Sequence, residues 1–376
     1  MASLLRVFLP AALSLAVVFP VHAIDENKIY RSKEHTFRIE TVADGFSHPW
    51  ALAFLPDGRM LVTEREGQLN LVEREGGKHT RIAGLPKITA RGQGGLLDVA
   101  VHPRFAENNW VYLSYVAQGE GGFGTHVGRG RLKGTQLTDF QVLFRATPFT
   151  DTGQHFGSRL VFDGNGHLFI SLGDRNERNS AQQLDNHNGS LIRLTEDGEI
   201  PKDNPFVGRD KALPAIYSYG HRNIQGMTRH PQTGRIWLHE HGPRGGDEIN
   251  TPEAGKNYGW PVITYGKEYY GPSIGPAQKE GMEQPLHHWT PSIAPSGMVF
   301  YTGNAFPNWR GDLFVGALVQ THLARLRFDG SKVVNEEQLL KEEGLRIRDV
   351  RQGPDGLLYL VVDAGKAPVL RLKPAQ

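Results

Sequence analysis

The feature that most constrains the fold of this 376-residue chain is a short β pattern that recurs along it. Each copy is an apolar segment, a turn with Pro, Asp or Gly, a β-rich segment, a small-residue turn and another apolar segment. The first and last copies share a Pro-Asp-Gly turn, at residues 56–58 and 354–356. The six copies begin near residues 50, 96, 159, 226, 298 and 347.

Four-stranded units that recur about every 40–60 residues are typical of a β-propeller. The sequence therefore predicts an all-β fold, a six-bladed β-propeller. The 45 Gly and 23 Pro residues agree with a chain rich in turns. A pair of β-sandwiches is the alternative, but two sandwiches would not place the same Asp-Gly turn at both ends of the chain.

The first 23 residues have the features of a signal peptide. Arg6 precedes an apolar run, residues 7–21, that is too short to cross a membrane, and Ala23 ends a small-residue cleavage site. A buried N-terminal helix is the alternative, and two prolines in the run disfavour it. We expect an exported, periplasmic protein with no membrane span and one propeller domain over residues 24–376.

Charge and cysteine content exclude several classes of partner and of fold. The formal net charge is +2, with both signs interspersed and no basic block. Nucleic acid and anionic membranes are therefore not expected as partners. The chain has no cysteine, so its stability depends on a hydrophobic core rather than on disulfides.

Polar side chains recur at one position of the repeat, immediately before or within the start of the first strand of a copy. In a propeller, such positions meet at one mouth of the central channel. A lone polar residue in a Gly-rich turn is usually a turn former, but recurrence at one position favours a shared site. The residues are Gln93, His155, Arg222, Asn223, Arg346 and Arg348.

These side chains together suit a single site with a catalytic base and an anionic ligand. A histidine is the usual general base for an alcohol proton, and three arginines favour a ligand with several carboxylates or phosphates. Neither a Rossmann fingerprint nor a Walker loop is present in the sequence. A cofactor at this mouth is therefore expected to be neither a nicotinamide nor a nucleoside triphosphate.

Residues 240–250, EHGPRGGDEIN, are predicted to form a short loop that binds a cation. Glycine and proline allow backbone carbonyls to point inward without unpaired N–H groups. Carbonyl and carboxylate oxygens together suit Ca²⁺. A tight strand-to-strand turn with solvated charges is the alternative.

These segments together resemble the soluble quinoprotein glucose dehydrogenase family, most closely its PQQ-dependent aldose sugar dehydrogenase branch (PQQ, pyrroloquinoline quinone). The resemblance runs from about Ser47 to Leu372, and each motif alone would be weak. It rests on His48-Pro-Trp-Ala-Leu-Ala-Phe54, Gly92-Gln-Gly-Gly-Leu-Leu-Asp98, His155-Phe-Gly157, Tyr219-Gly-His-Arg-Asn223, residues 240–250, Asn257-Tyr-Gly-Trp-Pro261 and Arg346-Ile-Arg-Asp-Val350.

The resemblance implies a six-bladed propeller that holds PQQ and Ca²⁺ and oxidises aldoses at the anomeric carbon to the lactone. It implies that His155 is the general base for the anomeric hydroxyl, with hydride passing to PQQ C5. Arg222 would stabilise the charge on the C5 oxygen.

The resemblance also implies the ligands of the cofactor and of the metal. The carbonyls of Gly242 and Pro243 would bind the Ca²⁺ that contacts PQQ. Glu248 and the carbonyl of Tyr258 match a second, structural Ca²⁺ site. The remaining implied cofactor contacts are Gln93, Asn223, Tyr269, Arg346 and Arg348.

Two positions depart from the family pattern. Gln154 stands where glucose dehydrogenases have an aspartate before the catalytic histidine, which predicts a weaker preference for glucose. Val319 stands where the family often presents a lysine, which removes one cation from the PQQ carboxylates.

A calcium-dependent propeller lactonase is the alternative function, but it has no use for three arginines. A non-catalytic propeller that binds protein or glycan would leave the shared position of His, Arg and Gln as coincidence. The expected partners are aldose monosaccharides, with disaccharides left open, and an unidentified electron acceptor. Monomer and homodimer both remain open, since loops such as residues 265–283 could support a dimer.

Overall fold

The computed structural model describes residues 24–375, and within that range the fold is a six-bladed β-propeller. The predicted fold class is confirmed. The signal-peptide prediction for residues 1–23 lies outside the described residues. Of the helices described, none is long and apolar enough to cross a membrane.

Each blade is an antiparallel sheet, and in the first five blades the strands follow one another along the chain. Two strands precede the first blade, β1 (Tyr30–Arg31) and β2 (Thr36–Phe46). Blades 1 to 3 are β3 (Pro49–Phe54), β4 (Met60–Glu64), β5 (Gln68–Val72), β6 (His79–Arg81); β7 (Leu96–Val101), β8 (Trp110–Gly119), β9 (Gly122–Lys133), β10 (Gln136–Arg145); and β11 (Leu160–Phe162), β12 (His167–Ser171), β13 (Ser190–Thr195), β14 (Ile216–Tyr219). Blades 4 to 6 are β15 (Ile224–Arg229), β16 (Ile236–Glu240), β17 (Asp247–Asn250), β18 (His287–Trp289); β19 (Pro295–Phe300), β20 (Leu313–Ala317), β21 (Leu323–Asp329), β22 (Lys332–Leu339); and β23 (Ile347–Gln352), β24 (Leu358–Val362), β25 (Ala367–Pro374).

Within residues 24–375, helical structure is confined to short connections between the strands. The first strands of neighbouring blades pack side by side around the channel. The connections contain one α-helix, α1 (Phe105–Asn108), and 3-10 turns at Arg178–Gln182, Pro307–Trp309 and Lys341–Glu343.

The ring is closed by the N-terminal strand β2, which the repeat pattern did not predict. This strand pairs with β25, so the last sheet has the order β1-β2-β25-β24-β23. A propeller whose ends were not joined would expose two unpaired sheet edges. Because β2 comes from one end of the chain and β25 from the other, the closure stabilises the whole ring.

The hydrophobic core lies between the blades. In residues 24–375 the buried apolar side chains form six clusters, each shared by two neighbouring blades. Trp309, for example, is fully buried between blades 5 and 6. Since each sheet is covered on both faces, its strands are apolar on both sides rather than alternating with polar residues.

Four charged side chains on or beside the first strands of blades 2, 3 and 6 pair with one another. Arg159 lies 3.1 Å from Asp98 and 3.2 Å from Asp349, and Arg351 contacts the same two carboxylates at 2.9 Å and 2.8 Å. The guanidinium of Arg159 also lies 4.3 Å from the ring centre of Trp50. Two positive and two negative charges balance, so the group is neutral, and it packs against Trp50, which lines a cavity of about 260 Å³.

Candidate active site

Two adjoining cavities open at one mouth of the channel, and they bring most of the predicted site residues together. The larger, about 640 Å³, is lined by His155, Arg222, Gly242, Pro243 and Tyr269, among others. The smaller, about 260 Å³, is lined by Arg346 and Arg348. Both cavities are lined by Gln93, Asn223, His241, Ala294 and Val319.

Glu248 and Tyr258 are the predicted residues that lie outside these two cavities. They line a separate small space of about 10 Å³ behind the loop that carries Gly242. Tyr269 lies at the rim of the larger cavity and is 55% exposed. Gln154 is exposed and lines neither cavity.

His155 sits in a constrained turn before β11. Its backbone adopts a φ of 52°, which L-residues rarely adopt. The side-chain oxygen of Gln93 accepts a hydrogen bond from the His155 amide at 2.9 Å, and a Cβ added at Gly173 would lie 2.2 Å from the His155 carbonyl oxygen. The turn therefore depends on the side-chain oxygen of Gln93 and on the absence of a side chain at residue 173.

Asp174 orients the imidazole of His155. Nδ1 of His155 donates to Asp174 at 2.6 Å, and the indole of Trp260 donates to the other carboxylate oxygen at 2.7 Å. With Nδ1 engaged, Nε2 is the nitrogen available to accept a proton from a molecule in the larger cavity. The geometry is that of a histidine base held in one tautomer by a carboxylate.

Sequence reasoning missed Asp174, although a signal for it exists. In an antiparallel blade, the residue after the second strand returns to the same rim as the residue before the first strand. Asp174 follows β12 in this way, and Asp363 follows β24. Trp260 belongs to a motif that carries the family resemblance but was given no role.

Burial and hydrogen bonding set the protonation states of this pair. Burial lowers the pKa of His155 below its ordinary value, and the hydrogen bond to Asp174 offsets part of that shift. Burial acts to raise the pKa of Asp174, but the hydrogen bond from His155 and the nearby charge of Arg222 bring it below its ordinary value. His155 is therefore neutral and Asp174 ionised at neutral pH.

Arg222 is held between the cavities and the Gly242 loop. Its Nη1 donates to the carbonyls of His241 at 3.1 Å and Gly242 at 2.9 Å. Its backbone N–H donates to Glu240 at 2.5 Å, and its guanidinium lies 5.3 Å from the ring centre of Trp260. Only 8% of Arg222 is exposed, so its charge acts in a largely dry environment.

Asp363 holds the two arginines of the smaller cavity. It accepts from Arg348 at 2.9 Å and from Arg346 at 3.4 Å, and His48 contacts its other oxygen at 2.9 Å. Although burial acts to raise the pKa of Asp363, the charge of Arg348 and the contact with His48 lower it well below the usual range. Since two arginines share one carboxylate, this side of the smaller cavity keeps a net positive charge.

Residues 240–250 form a hairpin rather than one loop, which corrects the sequence prediction. Glu240 ends β16 and residues 247–250 are β17, with Glu240 opposite Glu248. The buried carboxylate of Asp247 accepts from the Gly242 amide at 2.9 Å. Strand pairing continues into the predicted loop because Ile249 packs between blades 4 and 5.

The space near Glu248 lies between two carboxylates. Burial and the adjacent Glu240 charge hold the pKa of Glu248 well above its usual value. The Asn250 amide lies 3.4 Å from Glu248 and 3.5 Å from Glu240. Among residues 24–375, no three His, Asp or Glu side chains are grouped as metal ligands, so a cation here would need backbone oxygens as well.

Comparison with known proteins identifies the family. The sequence profile described as Glucose / Sorbosone dehydrogenase matches residues 46–371. The chain belongs to the glucose/sorbosone dehydrogenase family. It is 48% identical over 346 residues to aldose sugar dehydrogenase YliI of Escherichia coli (strain K12), covering 90% of this chain and 93% of that protein.

Two further similar proteins have names that state a quinone cofactor. The chain is 27% identical over 433 residues to quinoprotein glucose dehydrogenase B of Acinetobacter calcoaceticus, with coverage of 89% and 87%. The structure of the PQQ-bound form of aldose sugar dehydrogenase from Streptomyces coelicolor matches with a TM-score of 0.75 at 28% identity, with coverage of 90% and 98%. As a glucose/sorbosone dehydrogenase, this chain is an oxidoreductase, and the resemblance drawn from its motifs is confirmed.

Proposed function

We propose that this protein is a PQQ- and Ca²⁺-dependent dehydrogenase that oxidises aldoses at the anomeric carbon to lactones. The observation that carries the proposal is the His155–Asp174 pair on the wall of a cavity that adjoins the Arg346–Arg348 wall. A base alone would suit many reactions. A base beside a strongly cationic pocket suits a sugar oxidation that depends on an anionic cofactor.

The donor set of the two cavities fits PQQ. The cofactor is planar and carries three carboxylates, and Arg222, Arg346 and Arg348 line the adjoining cavities. Guanidinium groups bind carboxylates through paired hydrogen bonds. Gln93 and Asn223 line both cavities, and Tyr269 would contact the cofactor from the rim.

His155 is proposed as the general base for the reaction. When bound, PQQ would supply the acceptor for the hydride that leaves the anomeric carbon. Nε2 of His155 takes the proton of the anomeric hydroxyl, and the Asp174 carboxylate stabilises the imidazolium that results. The constrained turn keeps the ring in place, so no reorientation is needed at the moment of transfer.

Arg222 is proposed to stabilise negative charge that develops beside the reacting carbon. A fixed guanidinium in a dry site is worth more than the same charge in water. Its hydrogen bonds to two backbone carbonyls keep it oriented. Arg222 would thus act both in cofactor binding and in catalysis.

The carbonyls of Gly242 and Pro243 are proposed as ligands of the Ca²⁺ at the cofactor. Both residues line the larger cavity, and a carbonyl oxygen has two lone pairs, so Gly242 can accept from Arg222 and still bind a cation. The second Ca²⁺ is proposed at Glu248 and the Tyr258 carbonyl. A cation there would relieve the repulsion between Glu248 and Glu240.

The remaining sequence predictions also stand as proposals. They are cleavage after Ala23, export to the periplasm, a single domain over residues 24–376 and an electron acceptor yet to be identified. Both the monomer and the homodimer remain open.

The direct test of function is to add PQQ and Ca²⁺ to apo-protein and to measure dye reduction with aldoses. Turnover of lactones without PQQ would instead favour the lactonase.

Replacing Asp363 with asparagine is expected to weaken PQQ binding by about tenfold or more, roughly 1.4 kcal/mol. The change removes a negative charge from a pocket for an anion, so simple charge counting predicts tighter binding. We expect the opposite because Asp363 positions Arg346 and Arg348. Titration of apo-protein with PQQ, followed by tryptophan fluorescence, gives the dissociation constant.

The matched control for this variant is Asp355→Asn. Asp355 lies in the turn at the other end of the same strand pair, where it accepts from Tyr359 at 2.8 Å. The Asp355→Asn variant should bind PQQ with unchanged affinity. Tighter binding in Asp363→Asn would show that the carboxylate only repels the cofactor.

The substrate range is expected to be broad, and Gln154→Asp should narrow it. Residue 154 lines neither cavity, but it directly precedes His155, so we expect its side chain to reach a sugar bound at the mouth. A carboxylate accepts charge-assisted hydrogen bonds from sugar hydroxyls, whereas a neutral amide binds them more weakly. Specificity is a difference in binding between competing sugars, so a missing strong contact lowers it. The measurement is kcat/KM for glucose, galactose, xylose and maltose on both proteins. An unmodified enzyme that favours glucose by more than about a hundredfold would contradict the prediction.

A further inference from the structure

An exposed patch beside the larger cavity combines apolar and cationic side chains. Three of the eight large apolar residues exposed in the described chain lie here: Tyr269 (55%), Tyr270 (102%) and Val319 (65%). Arg244 and Lys267, also exposed, line the same cavity. We call these five residues the mouth patch. Clustered exposed apolar side chains usually mark a binding surface, whereas scattered ones do not.

The tyrosines are presented on a tethered turn. The amide of Glu268 donates to the Pro272 carbonyl at 3.1 Å, which closes the turn that carries Tyr269 and Tyr270. Arg244 ties this turn to the Gly242 loop: its amide donates to Lys267 at 3.2 Å and its side chain to the Tyr269 carbonyl at 3.3 Å. The two aromatic rings are therefore displayed next to the loop proposed to bind Ca²⁺.

The charge of the patch is positive and unpaired. Asp151 and Glu268, two carboxylates in loops beside the mouth, pair with Arg91 at 3.5 Å and Arg178 at 2.7 Å. Within residues 24–375, neither Arg244 nor Lys267 forms an ion pair, and no Asp or Glu lines the larger cavity. A partner that covers this surface must therefore supply negative charge.

We propose that the mouth patch is the docking surface for an acidic redox protein that removes the electrons of sugar oxidation. This inference rests on the proposed function. Oxidation of an aldose to its lactone releases two electrons and two protons. Two molecules of a one-electron acceptor are reduced for each sugar, and the protons pass to water.

The physical roles within the patch are separate. The unpaired cations of Arg244 and Lys267 raise the rate at which an acidic partner meets the mouth, an effect that salt screens. The rings of Tyr269 and Tyr270 give apolar contact area at a small entropic cost, as aromatic anchors do at other interfaces. Val319 belongs here as well, because its apolar side chain is 65% exposed where it lines both cavities.

The test compares acceptors of different charge at saturating sugar. The acceptors are an acidic c-type cytochrome, a basic c-type cytochrome and a neutral benzoquinone. We expect kcat/KM for the acidic cytochrome to fall at least about tenfold from 10 mM to 500 mM salt, and the benzoquinone rate to change little. An acidic cytochrome that reacts no faster than the basic one at low salt would overturn the proposal.

Two variants localise the effect. Lys267→Glu should lower the ratio of acidic-cytochrome rate to benzoquinone rate about tenfold and raise the ratio for the basic cytochrome. Tyr270→Ser should lower the rate with the acidic cytochrome and leave benzoquinone turnover unchanged. The matched controls are Lys332→Glu and Val334→Ser on the outer strand β22, where Val334 is 53% exposed.

The outcomes separate this inference from the proposed function. Equal effects of the patch variants and the β22 variants would reject the docking surface while sugar oxidation stands. Absence of turnover with every acceptor, including benzoquinone, would reject the proposed function itself.

Discussion

Replacing His155 with alanine is expected to lower kcat for aldose oxidation by about 10²–10⁴-fold, the usual contribution of a general base. Binding of PQQ should be nearly unchanged, because the contact from His155 to Gln93 uses the backbone amide. The measurements are steady-state dye reduction with saturating PQQ and Ca²⁺, and a PQQ titration of the apo-protein.

The chain offers a close control for this variant. His167 makes a similar contact, with Nδ1 2.9 Å from Asp163, but at the far end of blade 3 from the cavities. His167→Ala should keep full activity. Near-normal turnover in His155→Ala would mean that another group takes the proton, and the mechanism would have to be redrawn.

The pH dependence gives an independent test of His155. Burial lowers the pKa of His155, so the imidazole stays neutral even when the pH of the solution is somewhat below 6.5, the ordinary pKa of histidine. As the pH decreases, kcat/KM should therefore fall only when the pH reaches that lowered pKa. The Asp174 carboxylate raises the pKa of His155, so Asp174→Asn should move the acid limb to still lower pH while reducing kcat. A limb that does not move would show that another group controls it.

Removal of Ca²⁺ is expected to abolish activity of the holo-enzyme. The proposed ligands are backbone carbonyls of a turn, which suit the irregular oxygen shell of Ca²⁺ better than the strict octahedron of Mg²⁺. After chelation, added Ca²⁺ should restore dye reduction, and Mg²⁺ should restore much less. Equal rescue by Mg²⁺, or full activity after exhaustive chelation, would contradict the calcium assignment.

The second Ca²⁺ site can be separated from the first by thermal unfolding without PQQ. An ion that binds only the folded protein stabilises it by about 2.7 kcal/mol at 100 times its dissociation constant. Unmodified apo-protein should therefore gain in Tm with Ca²⁺, and Glu248→Gln should lose most of that gain. An equal gain in both proteins would place the stabilising ion elsewhere.

Much of the site was accessible from the sequence because a propeller repeats its geometry. Gln93, His155 and Arg222 occupy one position in their copies, and the structure brings them to one mouth. The hairpin at residues 240–250 was predicted as a loop, because its glycines and charges obscured the short strand β17. The closing strand β2 was missed because it has no copy elsewhere in the chain.

The sequence by itself determined the blades, their number and the rim on which each polar residue lies, because these follow from strand alternation and turn chemistry that act locally. Only the tertiary structure decided which polar groups pair. Asp174 meets His155 within blade 3 and Trp260 from blade 4, and Asp363 joins arginines of blade 6 to His48 before blade 1. Such contacts depend on the closed ring, which sets the distances between residues far apart in the chain.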